Sequence, residues 1–330
     1  MNIVKMNIVK MIGVGHYCPE NVISNFQLSK LVDTSDEWII KRTGILERRI
    51  SKNEGTVDLA VKASIDAMKM AKCNAEDIDL IIVATTSPDR IMPSTACSVQ
   101  NILGCTNATA FDVSAACSGF LYSAIIAESL LKIGTGNKAL VIGSEVLSRI
   151  VDWSDRNTCI LFGDGAGAAI LEVSSDDSKI ISTYFGSDGK EGANLLIANE
   201  FSIDTPFSNS FLERKKYIQM NGREVFKFAI SIIPKVVNKL LENSGEDISN
   251  IKYIIPHQAN LRIIEDAAKK LNINKDKFYI NLESYGNTSA ASVPIALSEA
   301  VKKGLINKGD KIILVGFGGG LTWAGLLIEW

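Results

Sequence analysis

The feature that most constrains this chain of 330 residues is an internal repeat. Four segments of the first half have counterparts in the second half, in the same order along the chain. The paired segments begin at residues 77 and 249, 108 and 278, 137 and 309, and 162 and 317. Any one apolar strand resembles many others, but four matches in one order indicate two copies of one unit. We therefore predict two domains, residues 11–175 and 176–330, with a functional site where they meet.

Apolar runs alternate with amphipathic stretches, and this alternation predicts the α/β class. Predicted strands cover residues 80–84, 108–113, 139–142, 168–173, 253–255, 278–281, 311–315 and 324–330. Predicted helices cover residues 57–71, 119–133, 225–242, 262–271 and 292–303. The polar residues 186–224 fit the repeat poorly, and they indicate either surface loops or a lid that selects substrates.

The charge balance gives the chain no overall attraction to nucleic acid or to an anionic membrane. It has 35 basic and 37 acidic residues, with a formal net charge of −2. No apolar run approaches the roughly 18 residues that a membrane-spanning helix needs, and the first ten residues are too interrupted for a signal peptide. We therefore expect a globular cytoplasmic protein with no nucleic-acid or membrane partner.

The supply of cysteine and histidine argues against a structural metal site or a disulfide framework. The chain has six cysteines, with no C-x-x-C pair, and only two histidines. Structural zinc needs clustered ligands of these types, and disulfides are typical of exported proteins. We predict no metal and a reducing compartment, with most cysteines packed as small hydrophobic residues.

Cys117 differs from the other cysteines in its surroundings. It lies between the predicted strand 108–113 and the predicted helix 119–133, within the small-residue sequence SAACSG. Free N–H groups and the dipole at a helix N-terminus favour a thiolate, and small neighbours leave room for a substrate. Both a nucleophile and a packed core residue fit this pattern.

Two polar residues of the second half lie at comparable places. His257 follows the apolar run 251–255, at a strand end where parallel sheets place their chemistry. Asn287 lies among small residues typical of a turn, but in the repeat it takes roughly the position of Cys117. The glycine-rich segment 316–320 leads into the last predicted strand, and its N–H groups fit either a hairpin or an oxyanion hole.

Seven segments together resemble the β-ketoacyl-acyl-carrier-protein synthase III family of the thiolase-fold superfamily. They span residues 36–324 and read DEWIIKRTGILERR, SAACSGF, FGDGAGAA, MNGREVFKFA, PHQANLRII, GNTSAASVP and GFGGGLTWA. The resemblance implies a thiolase-like duplicated fold, with two α/β halves in a layered α-β-α-β-α core. It also implies condensation of a short acyl-CoA primer with malonyl-acyl-carrier protein, which releases carbon dioxide and initiates fatty acid synthesis. Acetyl-CoA is the expected primer, and a branched short-chain primer stays open.

The resemblance also implies the roles of individual residues. Cys117 is the acylated nucleophile, and His257 and Asn287 support malonyl decarboxylation and stabilise the enolate. The N–H groups of Cys117 and Gly319 form the oxyanion hole. Coenzyme A contacts are implied for Trp38, Arg42, Arg156 and Asn260, carrier-protein docking for Arg262, and a primer pocket for Met92. Met92 reaches the pocket across a homodimer interface, and no metal or redox cofactor is implied.

Other members of the same superfamily fit less well. A degradative thiolase needs a second catalytic cysteine near the C-terminus, whereas the last cysteine is Cys159. A hydroxymethylglutaryl-CoA synthase needs an additional acidic base, for which we find no convincing equivalent. A related acyltransferase of secondary metabolism and a Cys–His acyl-CoA hydrolase both stay open. A non-enzymatic scaffold predicts no labelling of Cys117 by acyl-CoA.

Overall fold

The computed structural model describes residues 6–174, 179–192, 196–197, 206–207 and 215–330. Within them the strands are β1 (Ile8–Tyr17), β2 (Val22–Ser24), β3 (Glu47–Arg49), β4 (Leu80–Ala84), β5 (Thr109–Val113), β6 (Lys138–Glu145), β7 (Gly165–Ser174), β8 (Ile180–Ser187), β9 (Leu196–Ile197), β10 (Gln219–Met220), β11 (Ile251–Pro256), β12 (Lys311–Gly318) and β13 (Thr322–Glu329). The α-helices are α1 (Asn25–Leu28), α2 (Asp36–Thr43), α3 (Thr56–Ala71), α4 (Thr95–Leu103), α5 (Gly119–Lys132), α6 (Arg156–Cys159), α7 (Gly189–Gly192), α8 (Gly222–Ser244), α9 (Leu261–Leu271), α10 (Leu282–Tyr285) and α11 (Ser292–Lys302). Two 3-10 turns carry site residues, and we call them the first turn (Ala116–Ser118) and the second turn (Ser289–Ala291).

Two mixed sheets form the framework and share one topology. The first sheet has the strand order β1-β7-β6-β4-β5, and the second has the order β8-β13-β12-β11. Strands β4, β5 and β6 pair in parallel, as do β11 and β12, whereas the strands beyond β6 and β12 pair antiparallel. The second sheet repeats the strand order of the first, but among the described residues it has no strand that corresponds to β5.

Helices α5 and α11 form a middle layer, because both contact strands of both sheets. Helices α3 and α4 cover the outer face of the first sheet, and α8 covers the outer face of the second sheet and packs against α9. A helix between two sheets must be apolar on most sides, and nine of the fourteen residues of α5 are buried. The predicted α/β class and the layered α-β-α-β-α core are confirmed.

The two copies match most closely around the two 3-10 turns. Strands β6 and β12 are each eight residues long and begin 173 residues apart, as do helices α5 and α11. The turns keep this spacing, and their residues Ala116 and Ser289 have left-handed φ angles of 46° and 48°. Asn287 therefore corresponds to Ser114, three residues away from the expected match with Cys117.

Residues 278–281 do not form the predicted strand. Phe278 makes one isolated bridge to β11, and the buried side chain of Gln258 then takes the place of a neighbouring strand. Its Nε2 donates to the Tyr279 carbonyl at 3.2 Å, and its Oε1 accepts from the Asn281 N–H at 3.1 Å. A side chain that satisfies these backbone groups removes the need for a fifth strand.

The other predicted strands and helices are present, with ends that differ by up to three residues. The predicted domain boundary at residues 175 and 176, and much of the segment 186–224, lie outside the described residues. No helix among the described residues is long and apolar enough to cross a membrane. The same described residues contain no group of three or more His, Cys, Asp or Glu side chains that could hold a metal ion.

Candidate active site

Cys117 lies in the first turn, between β5 and α5, close to the helix start that the sequence predicts. On its other side, the end of β12 passes so close that only glycine fits at Gly318. A Cβ on Gly318 would lie 2.7 Å from the Cys117 nitrogen and 3.2 Å from the Cys117 Cβ. The next residue, Gly319, therefore lies beside Cys117, and the two residues line the same cavity.

A hydroxyl group holds the glycine segment against the first turn. Thr322 Oγ1 donates toward the Ala115 and Gly319 carbonyl oxygens, each at 3.0 Å, and lies 2.6 Å from the Ser118 hydroxyl. These contacts fix the backbone of Gly319 relative to Cys117, as an oxyanion hole requires.

The structure brings the three predicted reactive side chains together in one buried cavity. Cys117, His257 and Asn287 all line a space of about 100 Å³, which we call the inner cavity. Cys117 comes from the first half of the chain, whereas His257, just after β11, and Asn287, just before the second turn, come from the second half. Their exposed fractions are 8%, 2% and 8%. The site therefore lies between the two copies of the repeat.

Burial fixes the charge state of His257. Desolvation lowers the pKa of its imidazole to about 3, so the ring is neutral near pH 7. Its Nδ1 lies 2.6 Å from the Ser292 hydroxyl, and the ring packs edge-on against Phe317 with centroids 5.1 Å apart. Because Ser292 occupies Nδ1, Nε2 is the nitrogen left for a substrate.

Hydrogen bonds of the Asn287 backbone, and one bond from the second turn to its side chain, hold the Asn287 amide in place. Its N–H donates to the Leu161 carbonyl at 2.8 Å, and its carbonyl accepts from the Gly163 N–H at 3.0 Å. Its side-chain Oδ1 accepts from the Ser289 N–H at 2.9 Å. With Oδ1 occupied, the Nδ2 group is the end of the amide left to donate a hydrogen bond.

The Cys117 sulfur is a thiol at neutral pH, which corrects the predicted thiolate. Burial raises the pKa of Cys117 to about 12, and the charge of Glu145 also raises it, while interaction with Ser289 lowers it. The helix terminus next to Cys117 favours ionisation, but loss of water around the sulfur outweighs it. A nucleophilic role for Cys117 therefore requires a base that takes the thiol proton.

Two larger cavities adjoin the inner cavity. The mouth cavity, of about 660 Å³, shares with it Leu161, Met220, Gly222, Phe226 and Asn260. The rear cavity, of about 600 Å³, shares with it Cys117, Phe162, Leu196 and Gly319. Cys117 thus lies where the inner and rear cavities meet, and the mouth cavity adjoins the inner cavity on the other side.

Most of the residues predicted to bind coenzyme A surround the mouth cavity. Trp38, Arg42 and Asn260 line it. Arg156 does not, but its guanidinium carbon lies 5.2 Å from the centre of the Trp38 ring, and it donates to the Asp33 carbonyl at 2.9 Å. The predicted adenine-binding pair is therefore in direct mutual contact.

Asn260 joins two of the other predicted mouth residues. Its Oδ1 accepts from the Arg262 N–H at 2.9 Å and so caps helix α9, while its Nδ2 donates to the Arg42 carbonyl at 3.1 Å. The side chain of Arg262 also lines the mouth cavity, where it packs over the Phe226 ring at 5.7 Å. Asn260 therefore has a structural role in addition to any contact with a ligand.

Met92 stands apart from the other predicted site residues. It is 85% exposed and lines none of the three cavities of its own chain. Its neighbours Arg90 and Ile91 do line the rear cavity. The loop that carries Met92 thus borders the rear cavity, while Met92 itself is not part of the cavity lining.

Comparisons with known proteins identify the family. The sequence model described as 3-oxoacyl-[acyl-carrier-protein (ACP)] synthase III matches residues 111–189, and the model of its C-terminal part matches residues 241–330. The β-ketoacyl-[acyl-carrier-protein] synthase III of Clostridium botulinum strain Langeland is 56% identical over 325 residues, which cover 98% of this chain and 99% of that one. The chain belongs to the 3-oxoacyl-[acyl-carrier-protein] synthase III family.

Solved structures of the synthase III family share the whole fold. The crystal structure of the enzyme from Aquifex aeolicus VF5 is 48% identical, with a TM-score of 0.91 over 98% of this chain and 100% of that chain. The structure from Thermus thermophilus is 41% identical, with a TM-score of 0.91 over 97% and 99% of the two chains. The predicted family, the thiolase-like fold and the acyltransferase class are confirmed.

Three polar residues of this synthase III site were not predicted from the sequence. Ser292 contacts His257, and Ser289 donates its N–H to Asn287. Ser289 also lowers the pKa of Cys117, whereas the charge of Glu145 raises it. The available signal for Glu145 was an acidic residue at the end of the otherwise apolar strand β6. For the two serines the signal was the small-residue run that follows Asn287, which repeats the run around the first turn.

The buried neutral state of His257 predicts a pH-dependent stability. Its pKa is about 3 when folded and about 6.5 when unfolded, so the unfolded chain binds more protons as the pH falls below 6.5. Stability is therefore lost through this window, by about 2 kcal/mol at pH 5. Urea unfolding at pH 7 and pH 5 measures it, and we expect His257→Gln to lose about 2 kcal/mol less than the wild type. An equal loss in both proteins would contradict the buried neutral ring.

Proposed function

We propose that this member of the synthase III family condenses a short acyl-CoA primer with malonyl-acyl-carrier protein and so initiates fatty acid synthesis. The products are a β-ketoacyl-acyl-carrier protein, carbon dioxide and coenzyme A. The observation that carries the proposal is a buried cysteine that shares one cavity with a neutral histidine and an amide donor. The 56% identity to a β-ketoacyl-[acyl-carrier-protein] synthase III over nearly the whole chain supports the same reaction.

In the first step, Cys117 attacks the thioester carbonyl of acyl-CoA. A bond forms between the Cys117 sulfur and the acyl carbon, the bond to the coenzyme A sulfur breaks, and the acyl group stays on the enzyme. The N–H groups of Cys117 and Gly319 stabilise the oxyanion, and one such donor is worth about 3–4 kcal/mol in a studied protease. The rear cavity beside the sulfur, with Leu147, Ile150 and Ile218 in its lining, takes the acyl chain.

In the second step, malonyl-acyl-carrier protein loses carbon dioxide and leaves an enolate. Ser292 donates its O–H to Nδ1 of His257, which keeps the ring proton on Nε2 as a donor to the enolate oxygen. Nδ2 of Asn287 supplies a second donor to the same oxygen. The enolate carbon then attacks the acyl group on Cys117, a carbon–carbon bond forms, and the sulfur is released.

The mouth cavity is the entrance for both substrates. Trp38 and Arg156 enclose the adenine of coenzyme A, and a flat base between them needs roughly 7 Å, two contact distances of about 3.5 Å. The pair must therefore open from its present 5.2 Å contact. Arg42 supplies a cation for the nucleotide end, and Asn260 lies along the pantetheine arm. The exposed Arg262 beside the mouth docks the carrier protein.

We also propose a cytoplasmic homodimer that needs no metal or redox cofactor. Thioester exchange and decarboxylation pass no electrons to an acceptor, so the proposed chemistry needs no redox group. The exposed apolar side chains of Ile91 and Met92, 73% and 85% exposed, support a partner surface beside the rear cavity. In the dimer, Met92 of one protomer contributes to the primer pocket of the other. Six free cysteines suit a reducing cytoplasm.

Product analysis tests the proposed function. The protein is incubated with malonyl-acyl-carrier protein and either acetyl-CoA or a branched short-chain acyl-CoA. We expect β-ketoacyl-acyl-carrier protein, with one carbon dioxide and one coenzyme A released per product. Release of free acid from acyl-CoA without use of malonyl groups would identify a hydrolase instead. Absence of the condensed product with every primer would refute the proposal.

A further inference from the structure

Glu145 is a fully buried carboxyl group at the end of β6, and the reaction described above does not use it. Its exposed fraction is 0%. Two backbone N–H groups, of Thr86 and Ser87, donate to it at 3.1 Å. The hydroxyls of Thr86 and Ser87 donate to it at 3.0 and 2.5 Å. Burial raises the pKa of this carboxyl, and the hydrogen bonds offset part of that rise, because backbone N–H groups can only donate and so stabilise the carboxylate.

Ser289 lies near both Glu145 and the reactive sulfur. It lines the rear cavity together with Cys117, the second turn contacts both β6 and the first turn, and its hydroxyl lowers the pKa of the Cys117 thiol and of the Glu145 carboxyl. The backbone confirms the close approach, because β6 packs directly on the second turn. A Cβ on Gly143, two residues before Glu145, would lie 2.2 Å from the Ala290 carbonyl oxygen.

The repeat supplies an internal control for this arrangement. At the spacing of 173 residues, Glu145 corresponds to Gly318, and Ser289 corresponds to Ala116. The end of β12 packs on the first turn as the end of β6 packs on the second, and a Cβ on Gly318 would lie 3.2 Å from the Ala116 Cβ. The first turn thus packs on the end of β12 with neither an acid nor a hydroxyl at these two positions, so the left-handed turn itself does not require Glu145 and Ser289.

The charged surroundings of the sulfur are simple. Burial and Glu145 raise the pKa of Cys117, and the thiol needs a proton acceptor. His257 is a poor acceptor because desolvation lowers its pKa to about 3. Among the described residues, Glu145 is the titratable group whose charge acts on the sulfur. The hydrogen bonds to Glu145 itself come from the uncharged Thr85, Thr86 and Ser87, and the uncharged Ser289 also lowers its pKa.

We propose that Glu145 accepts the thiol proton of Cys117 through the hydroxyl of Ser289 when the acyl group is transferred. The inference rests on the proposed function, and it assigns the step that activates the nucleophile. Ser289 takes the proton from the sulfur and passes its own hydroxyl proton to the Glu145 carboxylate. Glu145 is a positioning and proton-storing residue, because it does not touch the substrate.

The proton balance closes over the whole reaction. In acyl transfer, Cys117 loses its proton to Glu145 and binds the acyl group, and the departing coenzyme A thiolate is protonated by solvent. In condensation, the enolate carbon attacks the acyl group and Cys117 leaves as a thiolate. The protonated Glu145 then returns its proton through Ser289, which restores the thiol and the carboxylate. One solvent proton is consumed per cycle, as loss of carbon dioxide from a malonyl carboxylate requires.

Ser289→Ala is the most direct test, since Ala116 shows that alanine tolerates the same backbone conformation in the other copy. Ser289→Gly is a second variant in which the left-handed φ carries no strain. Ser144→Ala is the matched control: its buried hydroxyl, next to Glu145, donates to the Thr56 carbonyl at 2.8 Å. The measurement is the rate of acyl-enzyme formation from acetyl-CoA in rapid-quench mass spectrometry, from pH 6 to pH 10.

We expect a rate that is nearly constant around neutral pH in the wild type and in Ser144→Ala. Ser289→Ala and Ser289→Gly should acylate about 10²-fold more slowly at pH 7. Their rates should rise tenfold per pH unit, because the thiolate then forms only by loss of its proton to solvent base. Glu145→Gln should show the same loss and the same slope, and combining it with Ser289→Ala should add little.

Two results would overturn the inference while leaving the proposed function intact. One is acylation of Ser289→Ala and Glu145→Gln at the wild-type rate. The other is a slower rate with the wild-type pH profile, which would indicate a packing role only. Failure of the wild-type protein to form β-ketoacyl product, by contrast, would remove the proposed function itself.

Discussion

We expect Cys117→Ala to abolish covalent transfer of the acyl group and to lower condensation on the order of 10⁴-fold or more, as loss of a nucleophile does in other enzymes. The sulfur lies where the inner and rear cavities meet, and alanine offers no atom that can carry an acyl group. Labelled acetyl-CoA followed by peptide mass spectrometry measures the effect. In the wild type, the label should sit on the peptide that contains Cys117.

Cys105→Ala is the matched control for this experiment. Cys105 is also fully buried, and burial raises its pKa to about 11, but it lines none of the three cavities around Cys117. Its replacement should cost packing stability and leave the label on Cys117 in place. Covalent labelling of the Cys117→Ala protein at any other residue would disprove the assignment of the nucleophile.

The repeat made the fold and the meeting point of the reactive residues predictable from sequence. Apolar residues located the strands next to Cys117 and His257, although β5 is mostly half-buried and β11 carries one exposed residue, Lys252. The spacing between the copies was harder to read, since insertions change it along the chain. The left-handed residues Ala116 and Ser289, together with the equal spacing of β6 and β12 and of α5 and α11, show that Asn287 pairs with Ser114.

Contacts between distant parts of the chain limited the rest of the prediction. The sequence around Cys117 favours a thiolate, but the burial and the Glu145 charge that raise its pKa come from elsewhere in the fold. Segment 278–281 has the sequence pattern of a strand. The side chain of Gln258, rather than a neighbouring strand, forms hydrogen bonds with its backbone. In both cases the residue that changes the outcome is distant in the sequence, and folding brings it close.

Removing the enolate donors should damage the second step and spare the first. We expect His257→Ala and Asn287→Ala each to lower carbon dioxide release from malonyl-acyl-carrier protein by about 10²–10³-fold, the effect of removing one preorganised donor. Neither residue takes the thiol proton of Cys117, so each variant should still form the acyl-enzyme. Carbon dioxide release and the acyl-enzyme burst, measured in the same preparation, separate the two steps.

The second histidine of the chain provides the matched control for this separation of acyl-enzyme formation from carbon dioxide release. His16 is partly buried, and its Nδ1 lies 2.8 Å from the Ser298 hydroxyl, an arrangement like that of His257 with Ser292. It lines none of the three cavities, so His16→Ala should keep both rates even if its thermal stability falls. Equal loss of the acyl-enzyme burst and of carbon dioxide release in His257→Ala would mean that His257 also serves acyl transfer. That result would place the base for Cys117 on the imidazole, in spite of the burial that lowers its pKa.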